Sequence, residues 1–206
     1  MLRIGIILGT TRPGRRGALV APWVADIARQ HLAAAEGDVE AEVEVVDLAD
    51  VGLTILEEPA PAMFGVYQFD HTRRWSRLIE GFDAFVFVTA EYNHSLPASL
   101  KNAIDHLFAE WNDKPAAIVS YGVNGGVRAA EHLRQVLAEV KVPTVRTQPS
   151  LSVFEDFAID DPLAQGEFAP RDLQAPVVEQ MLDELVSWAT ALRWLREERK
   201  AAGSSA

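Results

Sequence analysis

Two stretches of this chain carry residue types and spacings suited to holding an anion and a flat ring. The first reads Gly9-Thr10-Thr11-Arg12-Pro13-Gly14-Arg15-Arg16-Gly17, directly after an apolar run and directly before a helical pattern. In a glycine-rich turn between strand and helix, backbone N–H groups point outward and the helix dipole favours negative charge. Thr10 and Thr11 add hydroxyl donors, and Arg12, Arg15 and Arg16 add charge-assisted ones. By itself the loop also reads as a solvated turn whose arginines aid solubility. Two other anion motifs do not fit. Gly9 and Gly14 have P-loop spacing, but Arg15-Arg16 stand where that motif needs Lys and Ser/Thr. The dinucleotide fingerprint G-x-G-x-x-G is absent from the turn.

The second stretch runs from Thr89 through Glu91-Tyr92-Asn93-His94-Ser95-Leu96-Pro97 to Asp105. Ser95 suits an N-cap, and Pro97 fits the first turn of the helix that follows. A strand end with Tyr and Asn before a helix offers an aromatic face and backbone N–H groups to a heterocycle. A plain capped helix start accounts for these residues equally well. His94 is placed to donate a proton, although a solvent-facing or internally satisfied histidine is the more common reading.

These residues need a scaffold. Near-continuous apolar runs at Ile4–Leu8, Val43–Val46, Ala84–Thr89 and Ala116–Ser120 read as strands buried on both faces of a parallel sheet, with a weaker fifth between Val142 and Val153. Between them lie helical patterns. Val20, Val24, Ile27 and Leu32 mark a helix ending near Gly37, Leu100, Ile104 and Leu107 a second, and Leu133, Leu137 and Val140 a third. A last helix is expected from about Pro170 to Lys200, docked on the sheet rather than paired as a coiled coil. Alternating strands and helices predict right-handed βαβ units in one domain over residues 1–200, with 201–206 a frayed tail. The connections Leu48–His71 and Phe154–Ala169 are long enough to cover a site or an interface.

Composition narrows the partners. Among 206 residues there is no cysteine, which removes disulfides and thiolate chemistry, so any redox step needs a bound cofactor. A formal charge of −11 argues against nucleic acid and anionic membrane. No apolar run reaches the roughly 18–20 residues of a membrane span, and the amino terminus reads as a strand rather than a leader peptide. A cytoplasmic protein is expected.

The long middle motif, Glu91-Tyr92-Asn93-x-Ser95-x-Pro97-x-x-Leu100-Lys101-Asn102-x-Ile104-Asp105, resembles the signature of the NAD(P)H-dependent FMN reductase family, which includes quinone and azo-dye reductases. Gly9, Thr10 and Arg12 are similar to that family's phosphate loop, and Ser120-Tyr121-Gly122-x-x-Gly125-Gly126 matches a third segment. Ala90 departs from the proline often found before Glu91. The resemblance implies a flavodoxin-like α/β three-layer sandwich around a five-stranded parallel sheet. It also implies hydride transfer from NADPH or NADH to FMN, and onward to a small-molecule electron acceptor such as free flavin or quinone. By position, Gly9, Thr10, Thr11, Arg12, Arg15, Arg16 and Gly17 would bind the FMN phosphate. Glu91, Tyr92, Asn93 and His94 would border the ring and ribityl chain, and Ser120, Tyr121 and Gly122 would close the other side. No metal and no further catalytic side chain is expected. Phe64, Tyr67 and Phe69, with Trp75 nearby, would cover the flavin or join copies in a homodimer or homotetramer. A flavodoxin-like electron carrier is the alternative.

Overall fold

A computed structural model describes residues 1–34, 40–161 and 163–203. Five strands, β1 (Leu2–Leu8), β2 (Ala41–Asp47), β3 (Ala84–Ala90), β4 (Ala116–Gly122) and β5 (Ser150–Ser152), pair in parallel in the order β2-β1-β3-β4-β5. The helices are α1 (Gly17–Ala34), α2 (Leu48–Val51), α3 (Asp70–Glu80), α4 (Ala98–Asp105), α5 (Val127–Glu139) and α6 (Gln174–Gly203). This is the expected three-layer arrangement.

Every residue of β3 and β4 is buried, as their continuous apolar sequences require. Alternation sends Val86 and Val88 toward α1 and α6, and Phe85 and Phe87 toward α3, α4 and α5. Burying each such side chain stabilises the fold by about 1.5–3 kcal/mol. Because β1 feeds a helix on one face and β3 a helix on the other, their carboxyl ends open a crevice between them. In this strand order that reversal is where ligands sit.

Several expectations need correction. α6 begins at Gln174, four residues after Pro170, and continues to Gly203, because Ala201 and Ala202 are good helix formers. Val178, Met181, Leu182, Leu185 and Ala189 bury it against the sheet, so it docks as expected. Leu107 and Val140 lie just beyond the ends of α4 and α5 but remain in the core. The end of α1 near Gly37 lies outside the described residues. Trp75 and Trp111 are core side chains, 1% and 0% exposed, donating to the carbonyls of Ala103 and Ile104. Trp75 therefore covers no ligand. The 154–169 connection contains a two-residue antiparallel pair, β6 (Phe157–Ala158) and β7 (Glu167–Phe168), too short to show a period.

Asp156 fastens that connection between β5 and α6. Its fully buried carboxylate accepts from the amides of Ser152 and Arg171 and from the Arg171 guanidinium, at 2.7–3.1 Å. Burial pushes this carboxyl up, but the Arg171 and Ser152 bonds outweigh it and hold it below the usual carboxylate value. A carboxylate lowered on folding gives stability that is present above its unfolded value of about 4 and lost as pH falls through the folded one. Asp156→Asn is therefore expected to cost about 3 kcal/mol at neutral pH and to flatten the acid limb of a pH–stability curve measured by urea unfolding.

Candidate functional site

The β1–α1 loop, residues 9–17, forms the floor of the crevice. Its shape depends on a close approach at Gly17, the first residue of α1. A Cβ there would lie 2.5 Å from Leu8 Cδ1, 2.8 Å from the Tyr121 hydroxyl and 2.9 Å from Thr10 Oγ1. With hydrogen in that place, α1 settles onto the sheet. Beneath it the buried hydroxyls of Thr10 and Tyr121 lie 3.3 Å apart. Burial raises the Tyr121 phenol to about 12, so it stays neutral. Ser99 Oγ donates to the Gly9 carbonyl at 2.7 Å, tying the loop to α4.

The loop leaves donors free. Among the described residues, the amides of Thr10, Thr11, Arg12, Gly14 and Arg16 donate to no protein acceptor, whereas Gly9 N pairs with Val88 O and Arg15 N with Arg12 O. The three arginines separate. Arg15 pairs with Asp47 at the end of β2, and Arg16 donates to the carbonyls of Ala164 and Gln165. Among the described residues Arg12 has no hydrogen-bond or ion-pair partner for its guanidinium, which lies 5.9 Å from the Tyr92 ring centroid. One cation is thus free to meet an anion, and two serve the loop itself. Such a cluster of outward N–H groups at a helix start, beside an uncommitted guanidinium, can hold a phosphate.

After β3, Tyr92-Asn93-His94-Ser95 makes a tight turn. Tyr92 N donates to Ser95 O at 2.9 Å and Ser95 N to Tyr92 O at 3.1 Å, with φ of 48° at Asn93 and 74° at His94. Asn and His are among the non-glycine residues that tolerate this region. Ser95 is consequently not an N-cap. Pro97 occupies that position without a side-chain bond, and Ser95 Oγ faces His132 Nδ1 at 3.0 Å.

After β4, Ser120 Oγ donates to Gly125 O at 2.7 Å, and Gly126, at φ 70°, sits where a Cβ would strike the Tyr121 backbone at 2.8 Å. Glu91 bridges the two loops: its amide donates to Tyr121 O, and its carboxylate accepts from Arg128 N at 3.1 Å and pairs with Arg128 Nη1 at 2.9 Å. Gly122 lies alongside, with Glu91 Cβ 3.3 Å from where its own Cβ would stand.

The fold thus gathers all fourteen expected residues around one edge, and eight of them fall into two kinds. Thr10, Gly17, Glu91, Ser120 and Tyr121 spend their side chains or close contacts on shaping the loops. Arg12, Tyr92 and His94 are exposed. Sequence reasoning missed Asp47, Ser99 and Arg128. Ser99 lay within the middle motif, and Arg128 stands two residues past the Gly125-Gly126 pair. A neighbouring cavity of about 420 Å³ is lined by Thr11, Leu48, Leu53, Ile55, Ser99 and Asn102, among others. It joins the 9–17 loop to the 52–69 connection.

Residues 2–156 match the family model described as NADPH-dependent FMN reductase. The chain is 39% identical over 156 residues to an NAD(P)H-dependent FMN reductase of Schizosaccharomyces pombe, covering 75% of this chain and 74% of that one. It is 28% identical over 199 residues to a quinone reductase of Pseudomonas putida, covering 90% and 93%. In fold it is similar to FerB, a flavoenzyme NAD(P)H:(acceptor) oxidoreductase of Paracoccus denitrificans, with a TM-score of 0.67 at 21% identity, covering 93% and 98%.

Gly17→Ala is expected to lift α1 from the sheet, cost about 1–3 kcal/mol in urea unfolding, and abolish retention of a phosphate-bearing ligand on desalting.

Proposed function

The chain belongs to the NADPH-dependent FMN reductase family, and from this premise we infer that its strand-end loops hold FMN while NAD(P)H is oxidised and a small acceptor reduced. The observation that supports the placement is the set of free amides in the 9–17 loop beside the uncommitted Arg12 guanidinium. A phosphate monoester needs such donors, and the loop has few other uses for them. When bound, FMN supplies two-electron redox chemistry, taking a hydride equivalent from the nicotinamide.

The chain's own residues do the rest. The amides of Thr10, Thr11, Arg12, Gly14 and Arg16, with the Arg12 guanidinium, take the phosphate. Arg15 and Arg16 hold the loop through Asp47 and the 164–165 carbonyls. Tyr92, Asn93 and the 122–126 turn border the ring, where the amides of Asn93, Val123 and Asn124, which donate to no protein acceptor among the described residues, favour negative charge. Glu91 fixes the spacing between the two turns. The carrier alternative has less support, since the matched relatives carry reductase names. The acceptor class is small oxidised molecules, quinones foremost, by analogy with the Pseudomonas putida relative.

The assembly we favour is a homo-oligomer. Ile55, Met63, Phe64 and Val66 expose 56–79% of their surfaces on one connection beside the site, an unusual concentration for a chain of charge −11. A second copy, covering this face, is its expected occupant. Among the described residues no helix is long and apolar enough to cross a membrane. With no cysteine, a cytoplasmic location fits.

Three measurements check this reading. Protein loaded with FMN and desalted should keep its visible flavin bands and lose them on adding NADPH under argon; retained bands that NADPH leaves intact would point to a carrier. Arg12→Met should weaken FMN binding about tenfold, the value of one charge-assisted hydrogen bond, and by more than Arg16→Met. Light scattering at micromolar concentration should give at least twice the 22.6 kDa chain mass, reduced by Phe64→Asp; a monomeric parent protein would remove the oligomer.

A further inference from the structure

Glu91, Arg128, His94, Ser95 and His132 form a polar cluster on the β4 side of the Tyr92–Ser95 turn. Arg128 is held twice by the Glu91 carboxylate, through its amide and its Nη1, and the Glu91 side chain is only 10% exposed. The same Nη1 lies 3.3 Å from His94 Nδ1. A guanidinium has no acceptor, so Arg128 donates in this contact and His94 Nδ1 accepts with its lone pair. The proton of the neutral imidazole must then sit on Nε2, at the opposite edge of the ring. Among the described residues Nε2 of His94 has no partner, and His94 is exposed at the carboxyl edge of the sheet. The second histidine of the cluster, His132, has its Nδ1 engaged by Ser95 Oγ and its ring centroid 6.1 Å from that of His94.

The backbone supports the same orientation. His94 is kept at positive φ by the paired Tyr92–Ser95 hydrogen bonds, which carry its side chain away from Arg12 and toward the start of α5. The turn therefore offers two different faces: Tyr92 lies beside Arg12 on the phosphate side, and His94 beside Arg128 on the other.

We propose that Arg128, anchored by Glu91, is a positioning residue that fixes His94 as an Nε2–H donor for the oxygen of a carbonyl-bearing electron acceptor, a quinone. The substrate class rests on the reductase reading; the tautomer and its cause rest on the cluster alone. His94 in this role supplies a hydrogen bond that orients the acceptor and gives up no proton of its own. A quinone carbonyl accepts such a bond, whereas an acceptor without an oxygen lone pair at that place gains nothing from it. His94→Asn keeps a residue that tolerates positive φ and removes the Nε2 donor, and Arg128→Met removes the guanidinium while keeping much of the side-chain volume.

The test has two arms. Imidazole ¹⁵N–¹H correlation spectra of the flavin-free protein, with His94 assigned by loss of its signals in His94→Asn, should place the proton of neutral His94 on Nε2. A proton on Nδ1 overturns the proposal. This arm needs no flavin, so it stands apart from the reductase reading, which fails instead if the parent enzyme oxidises no NADPH with FMN or p-benzoquinone. In the second arm, His94→Asn and Arg128→Met should each raise KM for p-benzoquinone about tenfold, the value of one lost hydrogen bond, with kcat changed by less. The double variant should be no worse than His94→Asn, because Arg128 acts through His94. Losses that multiply in the double variant, or KM values equal to the parent's, overturn it.

Discussion

Among the described residues the amides of Thr10, Thr11, Arg12, Gly14 and Arg16 are left without protein acceptors where the chain leaves β1 at its carboxyl end and climbs onto α1 within nine residues. β2 ends at Asp47, opposite Leu8, and α1 begins only at Gly17, so neither element takes up these amides. That geometric shortfall is the constraint from which the rest of the site derives. A loop of outward N–H groups tolerates neither collapse nor free motion, so it needs support from outside itself. Ser99 supplies it from α4, Asp47 from the end of β2 through Arg15, and the 164–165 carbonyls through Arg16. The Thr10–Tyr121 contact below Gly17 closes the underside. Each support comes from a different element, so the loop inherits the rigidity of the whole fold.

The same logic recurs at the next two strand ends. The Tyr92–Ser95 turn places two non-glycine residues at positive φ, and two paired backbone bonds offset that strain. The 122–126 turn relies on Gly125 and Gly126 and on the Ser120 hydroxyl. Glu91 links the two turns by a half-buried ion pair with Arg128, and its carboxylate also caps the first turn of α5. The geometry it fixes is the separation between the Tyr92–Ser95 and 122–126 turns.

How far the sequence foretold this varies with the physical origin of each feature. The sheet was legible because Ile4–Leu8, Ala84–Thr89 and Ala116–Ser120 are apolar without interruption, which only two-sided burial explains. The order β2-β1-β3-β4-β5 agrees with the flavodoxin-like sandwich that the resemblance implies. β5 was blurred because Ser150-Leu151-Ser152 buries one apolar residue at the sheet's edge. α3 was hidden because its buried face is only Thr72, Trp75 and Ile79 among charged neighbours. In the site, residue types marked the loops correctly but not the division of labour. Arg12, Arg15 and Arg16 look alike in one dimension. Their separation into one free cation and two braces depends on Asp47 and on residues 164–165, about 30 and 150 positions away. Ser95 looked like a cap because the motif runs straight into a helix, yet Pro97 starts that helix and Ser95 closes the turn before it.

The central claim is that the free donors of residues 10–16 exist to hold the phosphate of FMN. Paired calorimetric titrations of the flavin-free protein with FMN and with riboflavin, which differ only by that phosphate, test it most directly. FMN should bind at least about a hundredfold more tightly, equivalent to ~2.7 kcal/mol assigned to the phosphate, with the difference shrinking as salt rises. Equal affinity for the two flavins would contradict it, since the loop would then be idle and the ring would be held by other means.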